Sequence, residues 1–191
     1  MNNNFFALIA RMKYIERWAL MRNTSKENIA EHSFFVSILA HALASIKRDV
    51  FGEDCSPEKA ASFALLHDAS EIFTGDMPTP IKYYNPEMRA VFGEIEKTAN
   101  ERLINALPES LSAAYRDMIE IPEDYKSIVK AADKLSALIK CIEEKNSGNT
   151  EFARAEDSTL ASLKNLNLPE VDYFIENFIP AFSLTLDELE K

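Results

Sequence analysis

An all-α fold is predicted by three observations. Hydrophobic residues make up 47% of the 191-residue chain while only 4 residues are glycine, a balance that suits packed helices better than a turn-rich β protein. Apolar residues recur at the helical period in stretch after stretch. Helix-start signals stand just before three of those stretches, at Asn28 with Glu31, at Ser56-Pro57 and at Asn85-Pro86. No internal repeat, low-complexity tract or linker interrupts the pattern, so the expectation is a single domain over residues 1–191, a bundle of about seven to nine helices.

Taken in order, Phe5, Leu8, Ile9, Met12 and Ile15 give a first amphipathic helix through Tyr14. Asn28-Ile-Ala-Glu31 has the form of a capping box, and Phe35, Ile38, Leu39, Ala42, Leu43 and Ile46 continue it as an apolar stripe. Ser56-Pro57-Glu58 starts the next helix, expected to run unbroken through Phe73 until Gly75 ends it. Asp76-Met77-Pro78-Thr79-Pro80 reads as a stiff polar loop. Asn85-Pro86 opens a long helix that stops before Pro108, and a shorter one spans Leu111 to Met118. Ile128, Ala131, Leu135, Leu138 and Ile142 mark another core stripe, followed by helices over Phe152–Leu166 and Pro169–Phe178 and an acidic final turn.

The chemistry concentrates between Phe63 and Thr79, where His67, Asp68 and Glu71 interrupt an apolar helical pattern. In an unbroken helix His67 and Asp68 stand about 100° apart and Glu71 one turn on, so all three share a face. His32, in the first turn of its helix, and Asp133, beside the later core stripe, extend the set to His…His-Asp…Asp. Two imidazoles and two carboxylates suit an octahedral divalent ion such as Mn, Co, Fe or Ni, and the lack of a nearby thiolate argues against a closed structural zinc site. Asp133 taken alone reads as a solvated edge residue. His41 lies on the opposite face of its helix from His32 and reads as satisfied packing. Trp18 reads either as a core plug beside Leu20 and Met21 or, with Arg17, as a nucleotide contact. Asp76 and Thr79 read either as turn residues or as substrate contacts.

A formal net charge of −10 argues against nonspecific binding to nucleic-acid polymers or anionic membranes. It also means that an anionic substrate needs local cations, for which Arg17 is the first candidate and Arg22, Lys82 and Lys134 follow. Two cysteines, Cys55 and Cys141, make no disulfide framework and read as ordinary residues. No apolar run has membrane-span length and no signal-peptide pattern opens the chain, so a cytoplasmic protein is expected.

These blocks together resemble a known family. His32, His67-Asp68 and Asp133 resemble the ligands of the HD-domain metal-dependent phosphohydrolases. More closely, Arg17-Trp18-Ala-Leu-Met-Arg22, Asn28-Ile-Ala-Glu31-His32-Ser33, His67-Asp68-Ala-Ser-Glu71, Gly75-Asp76-Met77-Pro78-Thr79-Pro80 and Lys130-Ala-Ala-Asp133 resemble the bacterial HD-domain 5′-deoxynucleotidases. The resemblance implies one divalent metal ion (Co, Mn or Cu in assays) on His32, His67, Asp68 and Asp133, and hydrolysis of deoxyribonucleoside 5′-monophosphates with selection against ribonucleotides. It further implies a homodimer. It casts Glu71 as the catalytic acid, Arg17 as the phosphate-orienting residue and Trp18 as the sugar discriminator. Substrate contacts are implied at Arg17, Trp18, His32, Asp68, Asp76, Met77, Pro78, Thr79 and Asp133, with Met77 a departure from the family's usual Leu. An HD phosphodiesterase or nucleoside triphosphohydrolase would share the ligands but need a longer cationic groove, and a noncatalytic metal- or nucleotide-binding HD module would not need Glu71.

Overall fold

Side-chain capping sets the helix starts. In the computed structural model, which describes residues 3–82 and 84–190, Asn28 Oδ1 accepts from the backbone N–H groups of Ala30 and Glu31, and the Glu31 carboxylate accepts from the Asn28 N–H. Ser56 and Asn85 each cap a helix whose first residue is proline, where the missing N–H costs nothing.

Eleven α-helices and no strand occur among the described residues. The first five are α1 (Phe5–Ile9), running on into a 3₁₀ turn at Ala10–Tyr14, α2 (Ile29–Asp49), α3 (Pro57–Leu65), α4 (Glu71–Thr74) and α5 (Thr79–Lys82). Then follow α6 (Pro86–Ile104), α7 (Glu109–Ile119), α8 (Glu123–Asn146), α9 (Ala153–Lys164), α10 (Pro169–Asn177) and α11 (Leu186–Leu189). With Phe5–Tyr14 taken as one helical run, 8 helices have at least 7 residues, within the expected range. The extra ones are single turns, too short to carry an apolar period.

Helices α2, α3 and α8 form the centre, where Val36, Leu39 and Leu43 meet Ala60, Phe63, Ala64, Ile128, Leu135 and Leu138. A second core gathers Phe5, Leu66, Ala69, Leu103, Ile104, Leu107 and Ile119. Phe63 and Ala64 belong to the first core and Leu66 and Ala69 to the second, so His67 and Asp68 lie where the two meet. By length and composition α2 is apolar enough to cross a membrane, contrary to the reading that no segment is; half of it is buried in packing, against α3, α8 and α10.

The helix expected to run unbroken through Phe73 is broken. It leaves helical geometry at Leu66 (φ −116°, ψ 12°), and the chain turns through residues 66–70 before α4 begins. The cause is local. Ala64 C=O, which in a continuing helix would accept from Asp68 N–H, accepts instead from His67 N–H at 3.3 Å, with His67 Nδ1 at 2.7 Å, and the turn continues on short bonds from Ala69 to Leu66 and Glu71 to Asp68. His41 is exposed, with Nδ1 3.4 Å from Ser45 Oγ, so it is not the packed residue expected.

Between the first helical run and α2, residues 15–28 form a closed loop. Its neck is an antiparallel bridge of Glu16 and Asn28, with Arg17 N–H donating to Glu27 C=O and Ile29 N–H to Ile15 C=O. Its far side is clasped to α8, where buried Glu144 accepts from Thr24 N–H and Oγ–H, Ser25 N–H, Asn149 Nδ2 and Lys140 Nζ. Burial opposes the Glu144 charge, but Lys140 and these donors hold its carboxyl well below the ordinary range. Its stabilisation is therefore present at neutral pH and lost as pH falls below the usual 4.5. Glu144→Ala, which strands Lys140, is expected to cost about 3 kcal/mol in urea denaturation at pH 7, with the gap to wild type narrowing in acid.

Candidate metal centre and substrate site

His32, His67 and Asp68 each offer a ligand atom, all within 4.8 Å of one another. His67 Nε2 stands 3.1 Å from Asp68 Oδ2, and His32 Nε2 stands 3.5 Å from the same oxygen. Asp133, carried by α8, brings Oδ1 to 3.2 Å from His32 Nε2. The side chain expected at a solvated edge therefore faces the cluster, and its own exposure is 40%.

The donor set fits a divalent cation. Both Nε2 atoms are buried and have no hydrogen-bond partner, an arrangement that costs free energy unless something electrophilic accepts their lone pairs. His67 Nδ1 lies 2.7 Å from Ala64 C=O, which can only accept, so Nδ1 carries the proton and Nε2 is free to ligate. Burial opposes charge on His67, yet the Asp68 carboxylate beside it raises its pKa to about 9, so a cation at Nε2 takes the place of a proton there. Desolvation opposes charge on Asp68 and Asp133, but the imidazoles facing them hold both below the usual carboxylate range. Two ionised carboxylates and two imidazole nitrogens are a nitrogen–oxygen set of the kind first-row divalent ions prefer.

Glu71 opens α4 with 8% exposure, and its Oε2 is buried without a partner. Burial, assisted by the charges of Asp68 and Asp76, pushes its carboxyl up to about 9. Burial also raises Asp76, whose Oδ2 accepts the Trp18 N–H at 3.2 Å and so ties the Gly75–Thr79 segment to the Arg17-Trp18 turn. Met77 and Pro78 continue that segment, and Thr79 begins α5.

Arg17 is mostly buried and reaches 3.8 Å from Asp133, so it is the cation placed at the cluster. Arg22 is not, because it lies exposed and paired with Glu151. Lys82 pairs with Glu96, and its charge still reaches Glu71. Trp18 adopts a left-handed backbone (φ 60°), rare for a bulky residue. It is not a plug beside Leu20, which is 74% exposed; its ring meets Phe152 at 5.3 Å and its indole N–H donates to Glu27 at 3.0 Å. Cys55 and Cys141 are buried thiols with raised pKa, distinct from the site.

Residues the sequence reading did not single out complete the surroundings. Glu27 accepts from Arg17 and Trp18, Ser136 Oγ lies 3.1 Å from His32 Nδ1, and Glu144 clasps the loop. A buried acid or serine carries no motif of its own; the one sequence signal was the position of Glu27 directly before the Asn28 cap.

A family model described as "5′-deoxynucleotidase YfbR-like" matches residues 4–182. The chain belongs to this family. It is 46% identical to a 5′-deoxynucleotidase of Photobacterium profundum over 98% of each chain, and 46% identical to one of Erwinia tasmaniensis over 100% of this chain and 98% of that one. A crystal structure of an HD-domain phosphohydrolase from Listeria innocua superposes with a TM-score of 0.82 at 24% identity, covering 98% of this chain and 92% of that one. A cyanophage S-2L HD phosphohydrolase, described as bound to dA and one catalytic Zn2+ ion, superposes with a TM-score of 0.66 at 22% identity, covering 91% and 95%. This 5′-deoxynucleotidase is therefore a hydrolase with the HD fold.

His67→Ala is expected to weaken cobalt binding by more than the roughly 10- to 100-fold that loss of an outer-shell partner costs, read by metal analysis after dialysis. Glu71→Gln should retain the metal while turnover falls by about 10²- to 10⁴-fold. Loss of metal from the Gln variant would instead make Glu71 a ligand.

Proposed function

We propose that the chain hydrolyses deoxyribonucleoside 5′-monophosphates to deoxyribonucleoside and phosphate, using one divalent ion held by His32, His67, Asp68 and Asp133, and rejects ribonucleotides. The observation that carries this reading is the convergence of two buried, unpartnered imidazole nitrogens on ionised carboxylates, with a buried arginine alongside. The deoxyadenosine and single Zn2+ described for the cyanophage protein of the same fold support a nucleoside-sized site with one ion.

When bound, the ion supplies Lewis-acid polarisation of a phosphoryl oxygen and acidifies water. The chain's own residues do the rest. Arg17 offers planar donors to nonbridging oxygens, offsetting a site that is otherwise acidic. Glu71, a carboxyl that keeps its proton to about 9 beside the ionised Asp68, is suited to hold or pass a proton within reach of the reacting phosphate. Asp76, at the head of the segment through Thr79, is pinned to Trp18 by the Trp18 N–H bond, which brings that segment beside the Arg17-Trp18 turn. The indole, held by Glu27 and Phe152, is a rigid face against which a 2′ hydroxyl would collide.

Phosphate release from dAMP and AMP, measured side by side on chelator-stripped protein with and without added Co or Mn, tests the reading. Release restored by metal from dAMP alone is expected, with a dAMP-to-AMP preference of about 100-fold or more. Trp18→Ala should collapse that preference toward unity. Equal hydrolysis of both nucleotides by the wild type overturns the selectivity, and no release under any metal overturns the proposed reaction.

A further inference from the structure

Glu27 lies outside the ligand set, yet its carboxylate meets three groups of the site at once. Its Oε2 accepts from Arg17 Nη1 at 3.1 Å and from Trp18 Nε1 at 3.0 Å, while its Oε1 faces His32 Nδ1 at 3.7 Å. The side chain is 16% exposed and His32 is wholly buried, so water competes little for these contacts. The backbone reinforces them, because Glu27 C=O receives the Arg17 N–H at the neck of the loop.

The His32 ring sets the chemical requirement. If Nε2 is to give its lone pair to a cation, Nδ1 must carry the proton and needs an acceptor. A guanidinium only donates, so the contact of Arg17 Nη1 with Nδ1 suits a ring whose Nδ1 is bare, and ligation through Nε2 requires that contact to give way to an acceptor. The acceptors at hand are Ser136 Oγ, at 3.1 Å, and the Glu27 carboxylate. Only the carboxylate is anionic, and an anionic partner raises the basicity of a ligating imidazole.

We infer that Glu27 is a positioning residue that links the metal to substrate recognition: one carboxylate supplies the anionic acceptor available to His32 Nδ1, aims the Arg17 guanidinium and holds the Trp18 indole. The inference rests on the proposed function, since it assumes that His32 ligates an ion and that Trp18 reads the sugar. It makes Glu27→Gln and Glu27→Ala behave differently. Glutamine keeps an acceptor for Trp18 but no charge for His32 and Arg17, whereas alanine keeps neither.

The test combines cobalt titration of the stripped protein, followed by calorimetry and the visible cobalt spectrum, with dAMP and AMP kinetics at saturating cobalt. Both variants are expected to bind cobalt about 10- to 100-fold more weakly, with an altered spectrum, and to raise KM for dAMP. Glu27→Gln should keep the preference for dAMP over AMP, and Glu27→Ala should lose most of it. Circular dichroism melts establish that each variant is folded, and the glutamine variant alone decides the metal arm if alanine does not fold. Wild-type cobalt affinity and spectrum in folded Glu27→Gln would overturn the inference while leaving the proposed function intact. A wild-type protein that binds no cobalt or spares dAMP defeats the proposed function instead, and the two failures are distinct.

Discussion

One competition for a backbone carbonyl organises this molecule. In a continuing helix Ala64 C=O would accept from Asp68 N–H, and the His67 backbone and ring occupy it instead. The helix leaves its geometry at Leu66 and does not resume through Asp68, and the residues after it turn instead of spiralling. That contact keeps the helix from resuming, fixes the His67 tautomer and turns Nε2 toward Asp68 and His32. Leu66 and Ala69 flank the turn and sink into the second core, so the break is held on both sides by packing. A loss of helical bonds becomes a rigid site because apolar burial continues across the gap.

Electrostatics then gives similar side chains different tasks. Asp68 and Asp133 face imidazoles and stay ionised, whereas Glu71, buried beside Asp68 and Asp76, keeps its proton to about 9. Under the proposed function, neighbouring carboxyls whose proton affinities are driven apart in this way divide ligand work from proton work. The chain carries a net charge of −10, and the arginine that reaches the cluster is itself mostly buried and held by Glu27. Placing one cation there is a local matter, independent of the surface charge.

The loop from Arg17 to Glu27 shows how a connection acquires the precision of a helix. Its neck is a β-type bridge, its far side is clasped by Glu144, and Trp18 within it is tied to Asp76. A flexible loop would lose conformational entropy each time it closed on substrate, and these bonds incur that cost at folding. They also sustain the left-handed backbone of Trp18.

The sequence by itself determined the fold class, the capped starts of α2, α3 and α6 and the candidate metal donors His32, His67 and Asp68, because these follow from local periodicity, capping and donor chemistry. The family pattern added the roles of Arg17, Trp18 and Glu71 as expectations. Periodicity misled at residues 66–70, where Leu66, Ala69 and Ile72 continue a helical stripe although they are buried by a different core. Only the tertiary structure decided that His67 and Asp68 sit on a turn, that Asp133 faces inward, that His41 stays exposed and that Glu27 and Glu144 matter. The physical reason is range: each of these depends on a partner brought close by folding, as Glu144 meets Thr24 from 120 residues away, and no local pattern in the chain encodes such a meeting.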